Sequence, residues 1–345
     1  MKDLTDRQKV LLTMIVREHT RTAQPVGSKT IVDHFGLTLS SATIRNELAA
    51  MTELGYLRQP HTSAGRIPTE DGYRFFVSNL VQQTNLPAST RNTISHQFSQ
   101  SQEGLDHWLK LAASILANQS QSASIVTAPH TQRAVFKHLE LVSVHSDRIL
   151  MVLVLVGGEI RQRIFSIGEA LNQEILSRQA ARINDFCQNK NAQSISMQED
   201  QFDEQGRKIL AILVEEMTES SHLVTGQVYL DGIQKLLREP EFADSENARS
   251  AIHLLERRPV LDDLLSSTVL KSAIGGVQVL IGGEGHWSEL RDFSIILTRY
   301  GVPEQLSGTL GIIGPMRMPY GHAIGTVRFV SDLLSELVTD HLIEE

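Results

Sequence analysis

Apolar residues in the first 80 positions recur at helical spacing in successive runs. Leu4, Leu11, Leu12, Ile15 and Val16 mark a helix over Leu4 to Thr20, broken by Pro25 and Gly27. Ser28 to Phe35 reads as a short helix stopped by Gly36. Ser40 and Ser41 then offer hydroxyls to the unpaired N–H groups of a third helix. In it Ile44, Leu48 and Met51 form one stripe at i, i+4, i+7. Gly55 closes that helix as a left-handed cap. Tyr56 to Arg58 reads as a strand and Arg66-Ile67 as its return, with Pro60 to Gly65 between. Thr69 caps a last helix, Glu70 to Val81.

Long helix, short helix, tight turn, capped helix and β-wing is the order of a winged helix-turn-helix, which makes double-stranded DNA the first partner to test. The polar side of the third helix carries Ala42, Arg45, Asn46, Ala49 and Glu53. An ordinary amphipathic surface helix has the same pattern; its neighbours single it out as a recognition helix. Arg suits guanine O6/N7 and Asn suits adenine N6/N7, each through two hydrogen bonds. The loop His61-Thr62-Ser63 supplies a titratable ring, hydroxyls and backbone N–H groups, which suits phosphate contact or minor-groove entry. A plain hairpin turn is the alternative. The candidate DNA-contacting set is Lys29, Ser40, Ser41, Thr43, Arg45, Asn46, His61, Thr62, Ser63 and Arg66.

A polar connector rich in Gln, Ser and Thr follows over 82–102. Leu105 to Asn118 is helical. Ser124 to Thr127, Phe136 to Val144, Arg148 to Val156 and Ile160 to Ile167 read as strands, with Gly157-Gly158-Glu159 as a hairpin signal. Ile149 to Val156 is apolar on both faces, which predicts a central, covered strand. Residues 171–224 read as helical and polar, with helices at Glu174 to Cys187 and Glu204 to Ser221 around a loose segment. Strands resume at Gly226 to Leu230. Helices follow at Ile233 to Leu237, Ser245 to Glu256 and Val260 to Ser267. Strands then come at Val277 to Ile281, Phe293 to Arg299 and Gly308 to Ile313, before a final helix from Tyr320 to His341. The order is α+β, compatible with an antiparallel sheet carrying helices, like the GAF-type sensor fold.

The run TIRNELAAMTELGYLRQPHTSAGRIPTEDGYRFF is very similar to the N-terminal region of the bacterial heat-inducible transcription repressor family HrcA. The resemblance returns in GQVYLDGIQKLLREPEF and in GTLGIIGPMRMPYGHAIGTV. Met51-Thr52-Glu53 departs from the more acidic helix end of the family pattern, and residues 190–205 are generic. The resemblance implies a dimeric repressor that binds an inverted-repeat operator before chaperonin and chaperone operons. It also implies that the chaperonin keeps the repressor in its active fold, so that heat, by occupying the chaperonin, releases repression. In architecture it implies a GAF-like domain with an inserted dimerising segment. The expected layout is 1–81 winged helix-turn-helix, 82–102 linker, 103–170 GAF-like first part, 171–224 inserted dimerisation segment and 225–345 GAF-like second part.

Charge agrees with a localised DNA contact. Residues 1–80 hold 10 Lys+Arg against 8 Asp+Glu; the remaining 265 hold 22 against 32. The chain as a whole is acidic, at −8, which argues against wrapping nucleic acid broadly. One small module makes few phosphate contacts, so two held at fixed spacing as a homodimer bind far better. A single cysteine, Cys187, excludes intramolecular disulfides and suits a reducing cytoplasm. The longest apolar run, Ile149 to Val156, is far short of the ~20 residues of a membrane span.

No catalytic or cofactor-binding pattern emerges, and the expectation is no enzyme, no cofactor and no metal. Gly308, Gly311 and Gly314 lack dinucleotide-loop spacing, and Gly282-Gly283-Glu284-Gly285 lacks the Lys of a P-loop. His253, His286 and His322 have no partner at ligand spacing, and no G-x-S-x-G occurs. The alternative function is a winged-helix regulator gated by a small ligand in the GAF-like domain, with Arg299, Tyr300, Arg317 and Tyr320 as candidate lining.

Overall fold

The computed structural model describes residues 3–37, 39–81, 85–101, 104–130, 134–145, 147–156, 160–168, 171–197, 201–222, 227–243, 252, 255, 264–265, 274–282, 290–303 and 305–342. They fall in two compact units. One comprises Met1–Thr127, Val228–Arg299 and Thr309–Leu334; the other comprises Ala128–Gln227, Tyr300–Gly308 and Ser335–Glu345.

The first unit opens with α1 (Asp6–Thr22), α2 (Ser28–Phe35), α3 (Ser41–Glu53), β1 (Leu57–Arg58), β2 (Ile67–Pro68) and α4 (Glu70–Asn79). The helices form where periodicity predicts them, and Leu11, Leu12, Ile15, Ile31, Ile44, Leu48 and Met51 are all buried. The expected connector 82–102 contains a helix, α5 (Ala88–Ser99). Its apolar signal is only Ile94 and Phe98 at i, i+4, both buried; each buried side chain of this size contributes about 1.5–3 kcal/mol, enough to hold a polar helix in place. Next come α6 (Leu105–Ser120), β3 (Ala123–Thr127), β7 (Val228–Asp231), α10 (Ile233–Leu236), β8 (Gln278–Ile281), β9 (Phe293–Val302), β10 (Leu306–Pro315) and α11 (Tyr320–Leu342), with residues 128–227 lying between β3 and β7 in the chain. The sheet order is β7-β3-β10-β9-β8. β3 pairs antiparallel with both β7 and β10, and β8 with β9. Gly311 on β10 is a close-approach position: a Cβ there would stand 2.2 Å from the Ile296 carbonyl oxygen.

The chain leaves β3 at Thr127 and re-enters β7 at Val228, and these two residues are register partners. The excursion between them holds β4 (Phe136–His145), β5 (Arg148–Leu155), β6 (Ile160–Ser166), α7 (Gln173–Cys187), α8 (Ala192–Ser196) and α9 (Glu204–His222). Its strands form an antiparallel sheet in the order β4-β5-β6. Phe136, Leu139, Leu141, Met151, Leu153 and Leu155 share one core with Leu176, Ile183, Leu213 and Met217 of the helices. The strands Phe136–Ser166 therefore pack with the helices of the expected 171–224 segment, and the boundary at 171 cuts through that core. The loose segment between helices carries α8, whose N-cap Asn191 accepts the Ser194 N–H.

α7 also satisfies the outer edge of β4. Asn184 accepts the Leu139 N–H at 2.7 Å and donates to the Leu139 carbonyl at 3.0 Å; Gln173 does the same for Ser143 and Leu141. An edge strand with its hydrogen bonds filled by side chains is closed to further pairing. β5 is central, as its sequence predicts, but not covered on both faces. Its burial alternates, with Ile149, Met151, Leu153 and Leu155 buried and Leu150, Val152 and Val154 half-buried. The expected helices at Ser245 to Glu256 and Val260 to Ser267, the hairpin signal 157–159, His253 and His286 lie largely or wholly outside the described residues.

Candidate nucleic-acid interface

Capping fixes each helix of the N-terminal module. Thr5 and Gln8 form a reciprocal capping box at the start of α1. Ser40 accepts the Thr43 N–H at 3.1 Å at the start of α3. At the other end, the Tyr56 N–H donates to the Met51 carbonyl and the Gly55 N–H to that of Thr52, with Gly55 at φ +87°. That is a Schellman closure, which turns the chain directly from helix into wing.

β1 and β2 pair Leu57 with Pro68 and Arg58 with Ile67. A third segment joins them, because Val26 and Arg66 exchange both backbone hydrogen bonds at 2.9 and 2.8 Å. The wing is thereby stapled to the turn between α1 and α2. Gly65 permits the approach: a Cβ there would lie 2.4 Å from the Val26 carbonyl carbon. α3 is tied back to α1 through Glu47, which accepts from Arg7 and Gln8. Glu18 on α1 pairs with Arg21 at 2.7 Å and stands 3.4 Å from His34 of α2. The Arg21 hydrogen bond holds the Glu18 carboxyl below its ordinary range.

Between α2, α3 and the wing lies a cleft of about 520 Å³. Lys29, Arg45, Thr62, Ser63 and Arg66 of the expected contact set line it, together with Ser28, Gln59 and Gly65. Among the described residues, three cations and no acidic residue line this concavity, which focuses positive potential where an anionic backbone would enter. Asn46 and His61 are exposed but not among its lining residues. The Ser40 hydroxyl serves its cap and is 2.9 Å from the Thr43 hydroxyl. The Ser41 hydroxyl is 2.9 Å from that of Ser28, fixing α3 against α2. Arg66 is half-buried and its Nε donates to Thr52 Oγ1 at 3.1 Å.

Two residues escape sequence reasoning. Ser28 shows itself only through its tertiary partner. Gln59 is exposed and polar, yet its amide donates to the carbonyls of Thr62 and Ala64 at 2.8 and 3.0 Å. The only sequence signal for it is a long amide at the mouth of a tight loop.

Of the expected effector-lining residues, Arg317 is engaged by Glu239, Glu241 and the Thr20 carbonyl. The Tyr320 hydroxyl is bonded to Ser294 and to the Met316 carbonyl. Among the described residues, no group of His, Cys, Asp and Glu is placed to hold a metal ion.

Comparison with known proteins agrees with this geometry. Residues 1–65 match the family model described as LexA DNA binding domain, which spans the three helices and most of the wing. Residues 106–324 match the model described as HrcA protein C terminal domain. The chain belongs to the HrcA family. Relatives named heat-inducible transcription repressor HrcA include one from Roseiflexus castenholzii, 43% identical over 98% of this chain and 95% of that protein. Another, from Chloroflexus aurantiacus, is 39% identical over 98% of this chain and 94% of its own length. A solved structure described as a hypothetical protein at 2.2 Å resolution has a TM-score of 0.58 at 24% identity, covering 98% of both chains; it shares the fold. The HrcA match runs from α6 into α11, and so takes in residues of both units. Among the described residues, no helix is long and apolar enough to cross a membrane.

Proposed function

We propose that this chain is a transcription repressor acting in the cytoplasm as a homodimer, with α3 and the wing of each copy placed on one half of an inverted-repeat operator before chaperone genes. The observation that carries the reading is the cleft lined by Lys29, Arg45 and Arg66 with no acidic residue among the described ones. Arg45 and Asn46 stand exposed on α3 where they can reach base edges in the major groove.

Dimerisation is supported by the outward face of the β4-β5-β6 sheet. Val142, Leu150 and Ile164 are register partners in one row, and Val154 pairs Ile160 in another. Ile160 is 61% exposed and Ile164 58%. The row between them holds Val152 flanked by Glu140 and Gln162; exposed aliphatic side chains on either side of it on an open sheet face mark an interaction surface, and an identical patch on a second copy satisfies it by twofold symmetry. The 128–227 excursion is read as the dimerising insertion and the five-stranded sheet as the GAF-like domain. Chaperonin dependence belongs to the same reading, because a monomer leaves that apolar face open until it pairs.

A gel shift on an inverted-repeat duplex, with and without chaperonin, tests the proposal alongside sedimentation of the free protein. A protein that remains monomeric and shows no preference for the inverted repeat under either condition sinks it. The second reading, gating by a small effector, has one observation behind it. A cleft of about 570 Å³, within the size range of small-ligand sites, is lined by Thr13, Val16 and Arg17 of α1, Phe76 of α4, Met318 just before α11 and His322 in its first turn. A thermal-shift screen with metabolites tests it, since a ligand of the folded state alone raises the melting temperature.

A further inference from the structure

We propose that Gln59 is a positioning residue that converts the wing tip into a hydrogen-bond-donating seat for a nucleic-acid phosphate; the inference rests on the DNA-binding reading above. The tip is closed by the Ala64 N–H donating to the His61 carbonyl at 2.8 Å. The two hydrogens of the Gln59 amide nitrogen then reach the Thr62 and Ala64 carbonyls at 2.8 and 3.0 Å. Three carbonyl oxygens of the tip are thus occupied from within the loop. The N–H groups of His61, Thr62 and Ser63 have no partner among the described residues.

A phosphate oxygen accepts hydrogen bonds and is repelled by carbonyl lone pairs. A loop that engages three of its carbonyls and leaves three successive N–H groups free favours an anion by both effects. The hydroxyls of Thr62 and Ser63 and the cations Lys29, Arg45 and Arg66 line the same cleft as Gln59, so the seat lies beside the recognition helix. The residue type follows from the task. One nitrogen must donate twice, which Glu and Met cannot do. Asn, one methylene shorter, loses the reach. The geometry thus assigns Gln59 to shaping the loop and leaves contact with the phosphate to the tip.

The test compares the full-length wild type with Gln59→Met and Gln59→Asn on an inverted-repeat duplex and a scrambled duplex across a salt series, with melting temperatures in parallel. Gln59→Met keeps length and volume and removes both donors. Its affinity is expected to fall on the order of tenfold for both duplexes, the scale of a lost charge-assisted anchor. The slope of log affinity against log salt is expected to flatten by roughly one. Preference between the duplexes and the melting temperature stay as in wild type, and Gln59→Asn shifts in the same direction. Wild-type affinity and slope in Gln59→Met overturn the inference. Lost preference at an unchanged slope also overturns it, by making Gln59 a base reader. A lowered melting temperature at an unchanged slope overturns it too, by making Gln59 a fold residue. Failure of the parent reading is visible separately, in a wild type that does not prefer the inverted repeat.

Discussion

The guanidinium of Arg317 donates to the backbone carbonyl of Thr20 at 3.2 Å, on the last turn of α1. The same side chain is paired with Glu239 and Glu241. Replacing it with Ala leaves two carboxylates facing each other and frees a carbonyl near the end of the first helix. Arg317→Ala is expected to destabilise the chain by about 2 kcal/mol, at the lower end for a paired charge that is not fully buried. Arg317→Lys should recover part of this, because an ammonium meets one carboxylate but lacks the two-pronged geometry. Urea unfolding midpoints check both; an Ala variant with the wild-type midpoint removes this clasp from the account of stability.

Gly65→Ala tests the staple between wing and helix turn. The added methyl would meet Val26 backbone atoms at 2.4 and 2.5 Å, so strand and turn must separate. Overpacking of this kind costs about 1–3 kcal/mol. The loss of operator affinity should exceed the loss of overall stability, because the displaced segment carries the wing tip. Normal binding and normal melting together would show that the staple yields freely.

Arg45→Ala should cost roughly 1–3 kcal/mol on the cognate operator and relax preference at one base pair. Arg66→Ala should weaken cognate and scrambled DNA alike and flatten the salt slope by about one. The structure adds a second effect at Arg66, loss of the hydrogen bond to Thr52, which should show as a small fall in melting temperature. An unchanged ratio of cognate to scrambled binding in Arg45→Ala would remove it from base reading.

Glu18 gives the module an acid-sensitive tie. Its carboxyl is held below the ordinary value of 4.5 by Arg21, so the unfolded chain takes up the proton at higher pH than the folded one. The stabilisation is therefore complete above the unfolded value and lost as pH falls through the folded one. Arg21 is largely exposed, so solvent screening keeps the contribution small. Glu18→Gln should melt at a lower temperature than wild type at neutral pH and converge with it in acid. Parallel melting curves at every pH would refute the tie.

The N-terminal module was legible because each of its signals is local. Caps at Ser40 and Thr69, the breaker at Gly36 and the stripe Ile44-Leu48-Met51 depend on neighbours within seven residues. The helix α5 was not, since two apolar residues in twelve give too little periodicity. The second unit was half legible. Its strands stood out, but that Phe136–Ser166 share a core with α7 and α9 is a long-range packing fact with no local mark. At the cleft, charge and hydroxyls identified Lys29, Arg45, Thr62, Ser63 and Arg66. Gln59 was missed because an exposed glutamine has no signature until its two carbonyl acceptors are seen.

Thr127 and Val228 face each other across one ladder. A hundred-residue excursion is therefore spliced into what would otherwise be a hairpin. Residues gained or lost anywhere within it leave the pairing of β3 with β7 in phase. A single residue gained within β3 would instead turn every later side chain to the opposite face. Length drift between homologues can accumulate in the excursion at no cost to the sheet that anchors it.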